Sequence, residues 1–319
     1  MLRAISLAGL SLMLLLGIAQ AQTDTSPPRA STGCSTSASA ERGLREVALD
    51  VDGEARVYLL YVPDSLDLTQ PAPLMISLHG FTSNMVEQKS WDELDQLAER
   101  EGFIAVWGQG TGFPRRWVAG AVGLFGDSPK DLHYISALID DVGAQLCLDE
   151  ARVYAVGFSN GGGMAHRIAC QLSERIAAVG TQAGAYNDSL ECAPQRGVPV
   201  IAIHGLLDPV VRYEGQDNGA FGGITPSIPV WAQAWAERNQ CTDTSETSDS
   251  NTGVTTLSYS ACEDDAEVRL VSVADGGHTW FGGDLAVQAP ESVVGGHSNA
   301  VQSSALMWAF LSQYRLGED

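Results

Sequence analysis

The chain has 319 residues, 45% of them hydrophobic and only 18% charged, which supplies a sizeable core and excludes wholesale disorder. Asp and Glu number 39 against 18 Lys and Arg, giving a net charge of −21. A field of that sign repels polyanions, so nucleic acid and acidic lipid surfaces are excluded and a neutral partner is expected.

Met1-Leu2-Arg3 is a short basic start, residues 4–18 are an apolar stretch, and Ala19-Gln20-Ala21 has the small-x-small pattern of a cleavage site. Residues 1–21 therefore read as a secretory signal, and the mature protein is expected outside the cell or in the periplasm. The apolar stretch is shorter than the about 20 residues of a membrane span, so no stable membrane association is expected. Cys34 lies too far beyond that stretch to be read as a lipid attachment site.

Residues 22–40, rich in Ser, Thr, Ala and Pro, read as a flexible lead-in, and residues 41–319 as one folded domain, expected as a monomer. Residues 46–49 and 56–62 predict a strand pair, 74–78 a buried strand, 91–101 a helix and 103–107 a strand. Residues 132–146 predict a helix, 153–156 a strand, 162–172 a helix and 177–182 a strand. The rhythm continues with a strand at 198–204, a helix at 229–238, a strand at 268–273 and a closing helix at 300–314. Residues 242–253 read as a polar surface loop. This alternation predicts an α/β fold around a mostly parallel sheet.

The mature chain keeps Cys34, Cys147, Cys170, Cys192, Cys241 and Cys262, an even count that suggests disulfides in an exported protein. Short loops favour Cys170 with Cys192 and Cys241 with Cys262, leaving Cys34 to clip the N-terminus to Cys147. None has the C-x-x-C spacing of a zinc ligand.

The chemistry concentrates where the 153–156 strand runs into Gly157-Phe158-Ser159-Asn160-Gly161 and then a helix. In Gly-x-Ser-x-Gly the serine sits on a strained turn, where side chains two residues either side would strike neighbouring backbone. Ser159 is the expected nucleophile, and it requires a base oriented by a carboxylate. The chain order Ser, acid, His restricts the base to His204, His278 or His297. His278, in the loop Asp275-Gly276-Gly277-His278 after the 268–273 strand, is the best placed; His204 reads as a packed strand-end residue and His297 as solvent-facing or capping. Asp208 follows the 198–204 strand and is the expected acid, ahead of Asp217 and Asp275. The oxyanion is expected to be met by the backbone N–H groups of Asn160 and Phe81. Trp117, Trp280 and Phe281, on loops leaving the same sheet edge, are expected to contact substrate.

These residues resemble the secreted polyhydroxybutyrate depolymerase and feruloyl esterase family of α/β hydrolases, the LpqC-like and carbohydrate esterase family 1 group. The resemblance runs from about Arg56 to Leu311. It rests on His79-Gly80, the 131–141 helix ahead of Cys147, Arg152-Val-Tyr followed by Gly157-Phe-Ser-Asn-Gly, His204-Gly-x-x-Asp208, Trp235-Ala ahead of Cys241 and Gly277-His-Thr-Trp280. It implies an α/β-hydrolase fold and an ester hydrolase with Ser159, Asp208 and His278 as its triad, no metal and no cofactor. Phe281 stands where the family often has Pro, and Gly108-Gln-Gly110 replaces its Pro-x-Gly. The expected substrate is a neutral ester, a feruloylated plant polysaccharide first and a polyhydroxyalkanoate or its oligomers second, because no binding module follows Tyr314. A silent polysaccharide-binding relative is the reading from another class, disfavoured by the intact triad positions.

Overall fold

A computed structural model describes residues 27–120, 127–187, 191–217, 223–284 and 289–317. The expected signal and the first residues of the lead-in lie outside them. In chain order the elements are β1 (Gly43–Val51), β2 (Glu54–Val62), β3 (Ala72–Leu78), α1 (Met85–Asp92), α2 (Leu94–Glu101), β4 (Ile104–Gly108), α3 (Lys130–Gln145) and β5 (Leu148–Phe158). There follow α4 (Asn160–Gln171), β6 (Ala178–Gln182), β7 (Val200–Gly205), β8 (Gln216–Asp217), β9 (Ile224–Thr225) and α5 (Ile228–Arg238). The chain closes with β10 (Asp243–Asp249), β11 (Val254–Ser260), β12 (Val268–Val273), α6 (Glu291–Val294) and α7 (Ser303–Leu311).

Ten strands form one sheet in the order β1-β2-β4-β3-β5-β6-β7-β12-β11-β10. The six central strands from β4 to β12 are parallel, and an antiparallel hairpin extends each side. Every residue of β3, β6 and β7 is buried, as a parallel strand covered on both faces requires. Alternate residues feed two cores: Leu74 and Ile76 join Ile135, Leu138 and Ile168 under α3 and α4, while Met75 joins Leu97, Met307 and Phe310 under α2 and α7. Parallel strands all end at one edge, and that edge carries the loops that matter here. No helix among the described residues is long and apolar enough to cross a membrane.

Three disulfides close Cys34 to Cys147, Cys170 to Cys192 and Cys241 to Cys262, the pairing the short loops favour. Three expectations are corrected. The predicted 91–101 helix is two helices, starting earlier. Asn84 caps α1 by accepting from the N–H groups of Val86 and Glu87, and the chain breaks at Glu93 (φ 48°). The break follows from Asp92, whose buried carboxylate accepts from Ser77 Oγ, Trp107 Nε1, Gln88 Nε2 and the Leu94 N–H.

The 242–253 segment is no loop: most of it is β10, paired with β11 from Asp243↔Ser260 to Asp249↔Val254. All seven residues of β10 are exposed, so the strand has no apolar face to announce it. Finally, residues 27–40 are not a free lead-in. Ser31 donates from its N–H to the Leu148 carbonyl at 3.0 Å and from Oγ to the Leu146 carbonyl at 2.9 Å, and Ser37 Oγ donates to the Leu68 carbonyl at 2.6 Å. A Cβ on Gly33 would stand 2.5 Å from the Leu146 oxygen. The small polar residues that suggest flexibility here permit close packing instead.

Candidate active site

Ser159 links β5 to α4 at φ 54° and ψ −116°, a strained conformation for a residue with a side chain. The two flanking glycines are demanded by contact. A Cβ on Gly157 would lie 2.1 Å from the Gly161 oxygen, and one on Gly161 would lie 2.1 Å from the Leu78 oxygen. The turn is held from the side by the Ser159 N–H, which donates to the Gln182 carbonyl at 3.0 Å, and by the Ser159 carbonyl, which accepts from Ala185.

His278 reaches this serine from the loop after β12. Its Nε2 stands 2.9 Å from Ser159 Oγ, and its Nδ1 stands 2.7 Å from Asp208 Oδ2. All three side chains are buried, exposed by 8% or less. The glycines set the loops against each other. The Gly277 N–H donates to the Gly296 carbonyl, the His278 N–H to the Val294 carbonyl and the Leu207 N–H to the Gly276 carbonyl. A Cβ on Gly205 would stand 2.1 Å from the Gly276 oxygen, so the Asp208 loop and the His278 loop approach as closely as backbone allows. Asp208 Oδ1 accepts from the N–H groups of Val210 and Val211 at 2.8 Å each. Burial alone would raise the Asp208 carboxyl, but the imidazoles of His204 and His278 together hold it well below the usual carboxylate range. Its anionic form is therefore favoured.

The loop after β3 crosses beside Ser159: a Cβ on Gly80 would stand 3.5 Å from the Ser159 Cβ. His79, fully buried, braces that loop. Its Nε2 accepts from the Gly110 N–H at 3.0 Å, which leaves the proton on Nδ1 to be donated to the Gly80 carbonyl at 2.7 Å. Burial pushes its pKa down to about 4, so it stays neutral. Phe81, the next residue but one, is 43% exposed. On the other flank Asn160 Oδ1 accepts from the Trp117 N–H and Asn160 Nδ2 donates to the Trp117 carbonyl, tying the elbow to the loop after β4.

The aromatic expectations are corrected. Trp117, Trp280 and Phe281 are each about 1% exposed and present almost no surface to a ligand. Trp117 donates from Nε1 to the His79 carbonyl and packs on Tyr134, and Trp280 donates from Nε1 to Ser304 Oγ. Phe281 fills the space under Gly276, where a Cβ would stand 2.4 Å from its ring. These loops fold inward after leaving the sheet, so their large side chains prop the catalytic edge from beneath. Among the described residues, Phe81 and Phe113 are exposed aromatics of this edge. His297 stays half-buried with Nε2 3.0 Å from the Ala289 carbonyl, apart from the triad positions, and Asp217 and Asp275 are exposed.

Gln182, at the end of β6, was not legible in the sequence. Fully buried, it accepts on its carbonyl from Ser159, donates from Nε2 to the Thr279 carbonyl and accepts on Oε1 from Ser303 Oγ. It thus joins the Ser159 turn, the His278 loop and α7. Among the described residues His166, Cys170 and Cys192 converge as metal ligands would, but both sulfurs are spent in a disulfide.

A serine on a strained strand-to-helix turn, with a histidine and an aspartate on later loops of one sheet edge, is an arrangement found on the α/β-hydrolase fold. Residues 56–193 match the family described as esterase PHB depolymerase. Feruloyl esterase B of Piromyces equi is 27% identical over 236 residues, 70% of this chain and 42% of its own length. Feruloyl esterase C of Emericella nidulans is 26% identical over 253 residues, 78% and 83% of the two chains. A putative esterase, NocK, of Nocardia uniformis is 28% identical over 265 residues, 77% and 76%. Acetyl xylan esterase from Aspergillus awamori shares the fold with a TM-score of 0.55 at 14% identity, over 74% of this chain and 94% of that one. Over residues 56–193 the chain is thus similar to the esterase PHB depolymerase family, and over a longer span to feruloyl and other esterases. It spans less than half of the first of these relatives.

Proposed function

We propose that this is an exported serine esterase, one catalytic domain behind a cleaved leader, that works through an acyl-enzyme on Ser159. The line from Ser159 Oγ to His278 Nε2 at 2.9 Å and from His278 Nδ1 to Asp208 Oδ2 at 2.7 Å carries the reading. With Asp208 anionic, Nδ1 keeps its proton and Nε2 accepts the serine proton as Oγ attacks the ester carbonyl. Asp208 then stabilises the imidazolium. The N–H groups of Asn160, at the positive end of α4, and Phe81 receive the oxyanion. His278 returns its proton to the departing alcohol, and a water activated by the same nitrogen releases the acid. The three disulfides fit an oxidising compartment outside the cytoplasm.

The preferred substrate is a hydroxycinnamoyl ester of a plant polysaccharide. The feruloyl esterase relatives favour it, and Phe81 and Phe113 offer exposed rings for a flat acyl group. A second reading, a polyester, has its own support. The sheet order puts the β3 and β4 loops on one side of β5 and the β7 and β12 loops on the other. Phe81 and Phe113 are exposed on the first side; Leu206, Leu207 and Val293 are exposed on the second. A polyester is apolar on both sides of its ester bond, whereas a sugar alcohol is not. Release of ferulate from methyl ferulate, compared with clearing of a polyhydroxybutyrate suspension, decides between them. Rapid clearing beside negligible ferulate release overturns the preference.

A further inference from the structure

We propose that His204 is a positioning residue for the esterase reaction: its Nε2–H locks the loop that aims the Asp208 carboxylate at His278. The inference rests on Ser159, Asp208 and His278 acting as the triad. His204 ends β7 and is fully buried, and its Nε2 lies 2.8 Å from the Val211 carbonyl. A carbonyl can only accept, so Nε2 carries the proton. The same nitrogen is 3.4 Å from Asp208 Oδ2, too long for a strong hydrogen bond but close enough for its N–H dipole to favour the anion.

The geometry makes a closed loop. Val211 accepts from His204 on its carbonyl and donates from its own N–H to Asp208 Oδ1, while Asp208 Oδ2 faces both imidazoles. Release of the Val211 carbonyl frees the segment that supplies two of the carboxylate's N–H donors, those of Val210 and Val211. Tyr213 packs against the ring in an edge-type contact with centroids 6.0 Å apart, and its hydroxyl is hydrogen-bonded to Ser272 Oγ on β12.

His204 Nδ1 is buried with no hydrogen-bond partner. An unpaired buried acceptor disfavours the folded state, so an apolar side chain would remove that cost while leaving the buried Val211 carbonyl without its donor. The two effects oppose each other in stability, so a loss of turnover, and not of stability, marks a positioning residue.

The test is kinetic and uses the full chain. His204→Leu is expected to lower kcat about 10- to 100-fold on a soluble ester such as methyl ferulate or p-nitrophenyl butyrate, with KM within about 2-fold and a Tm changed by no more than about 5 °C. His204→Gln, whose amide N–H reaches the same point, is expected to recover most of the loss. In an Asp208→Asn background the His204→Leu change should have little further effect, because it acts through Asp208. Unchanged kcat in His204→Leu, or a loss that Gln does not recover, overturns the proposal. Losses that multiply with Asp208→Asn overturn it too. If Asp208→Asn itself leaves turnover intact, it is the triad reading that fails.

Discussion

The nucleophile turn at Ser159 and the outer hairpin β10–β11 belong to one sheet and obey opposite rules. Around Ser159 backbone meets backbone: Gly157, Gly161 and Gly205 each leave only about 2.1 Å for a Cβ, and the Ser159, Asp208 and His278 side chains are buried. On β10 all seven side chains are exposed and no apolar face exists. Position is fixed in the first region by steric exclusion and in the second by ladder hydrogen bonds and one disulfide, Cys241 to Cys262. Chemistry that depends on tenths of an ångström sits where the chain has no freedom to yield.

The sharpest way to break that contrast is at the centre. Asp208→Asn removes the anion that orients His278 and is expected to lower kcat by about 10⁴-fold with the fold intact, measured by ester hydrolysis beside circular dichroism. Gly161→Ala pushes a methyl into the Leu78 carbonyl, a contact neither partner can relieve, and should destabilise the protein by about 3 kcal/mol in denaturant unfolding.

Asp92 gives a pH signature to the same interior. Burial pushes its pKa up to about 6, against donors that pull it down. Its folded value lies above its unfolded value, so the stability it contributes is full below about pH 4 and is lost as pH rises through about 6. Comparing Asp92→Asn with the parent between pH 4 and pH 7.5, the parent should lose on the order of 2 kcal/mol more than the variant. An equal pH dependence would show that the four donors to Asp92 outweigh its burial. On the hairpin, Thr247→Val should shift stability by no more than about 0.5 kcal/mol, because the side chain is exposed and only the backbone is paired.

What could be read from the sequence follows the same division. Steric rules leave marks in residue type: the Gly-x-Ser-x-Gly turn, the glycines before His278, the aspartate just past a strand end and the short cysteine loops were all legible. Hydrogen bonds between distant residues leave none. Gln182 binding Thr279 and Ser303, or Asn160 holding the Trp117 backbone, could not be found without coordinates. Trp117, Trp280 and Phe281 misled because a residue on a loop near the site is not thereby on the surface. The β10 strand escaped because periodicity reveals a strand only when one face is apolar. The break between α1 and α2 was hidden because Asp92 turns inward to bind Ser77 and Trp107, contacts set by the fold.

The central claim is that Ser159 is an activated nucleophile. Incubation of the folded protein with a fluorophosphonate, followed by intact mass and peptide mapping, should give one adduct on Ser159, slowed strongly by Asp208→Asn and abolished by Ser159→Ala. Folded protein that takes up no adduct, or carries it on another residue, would contradict the account.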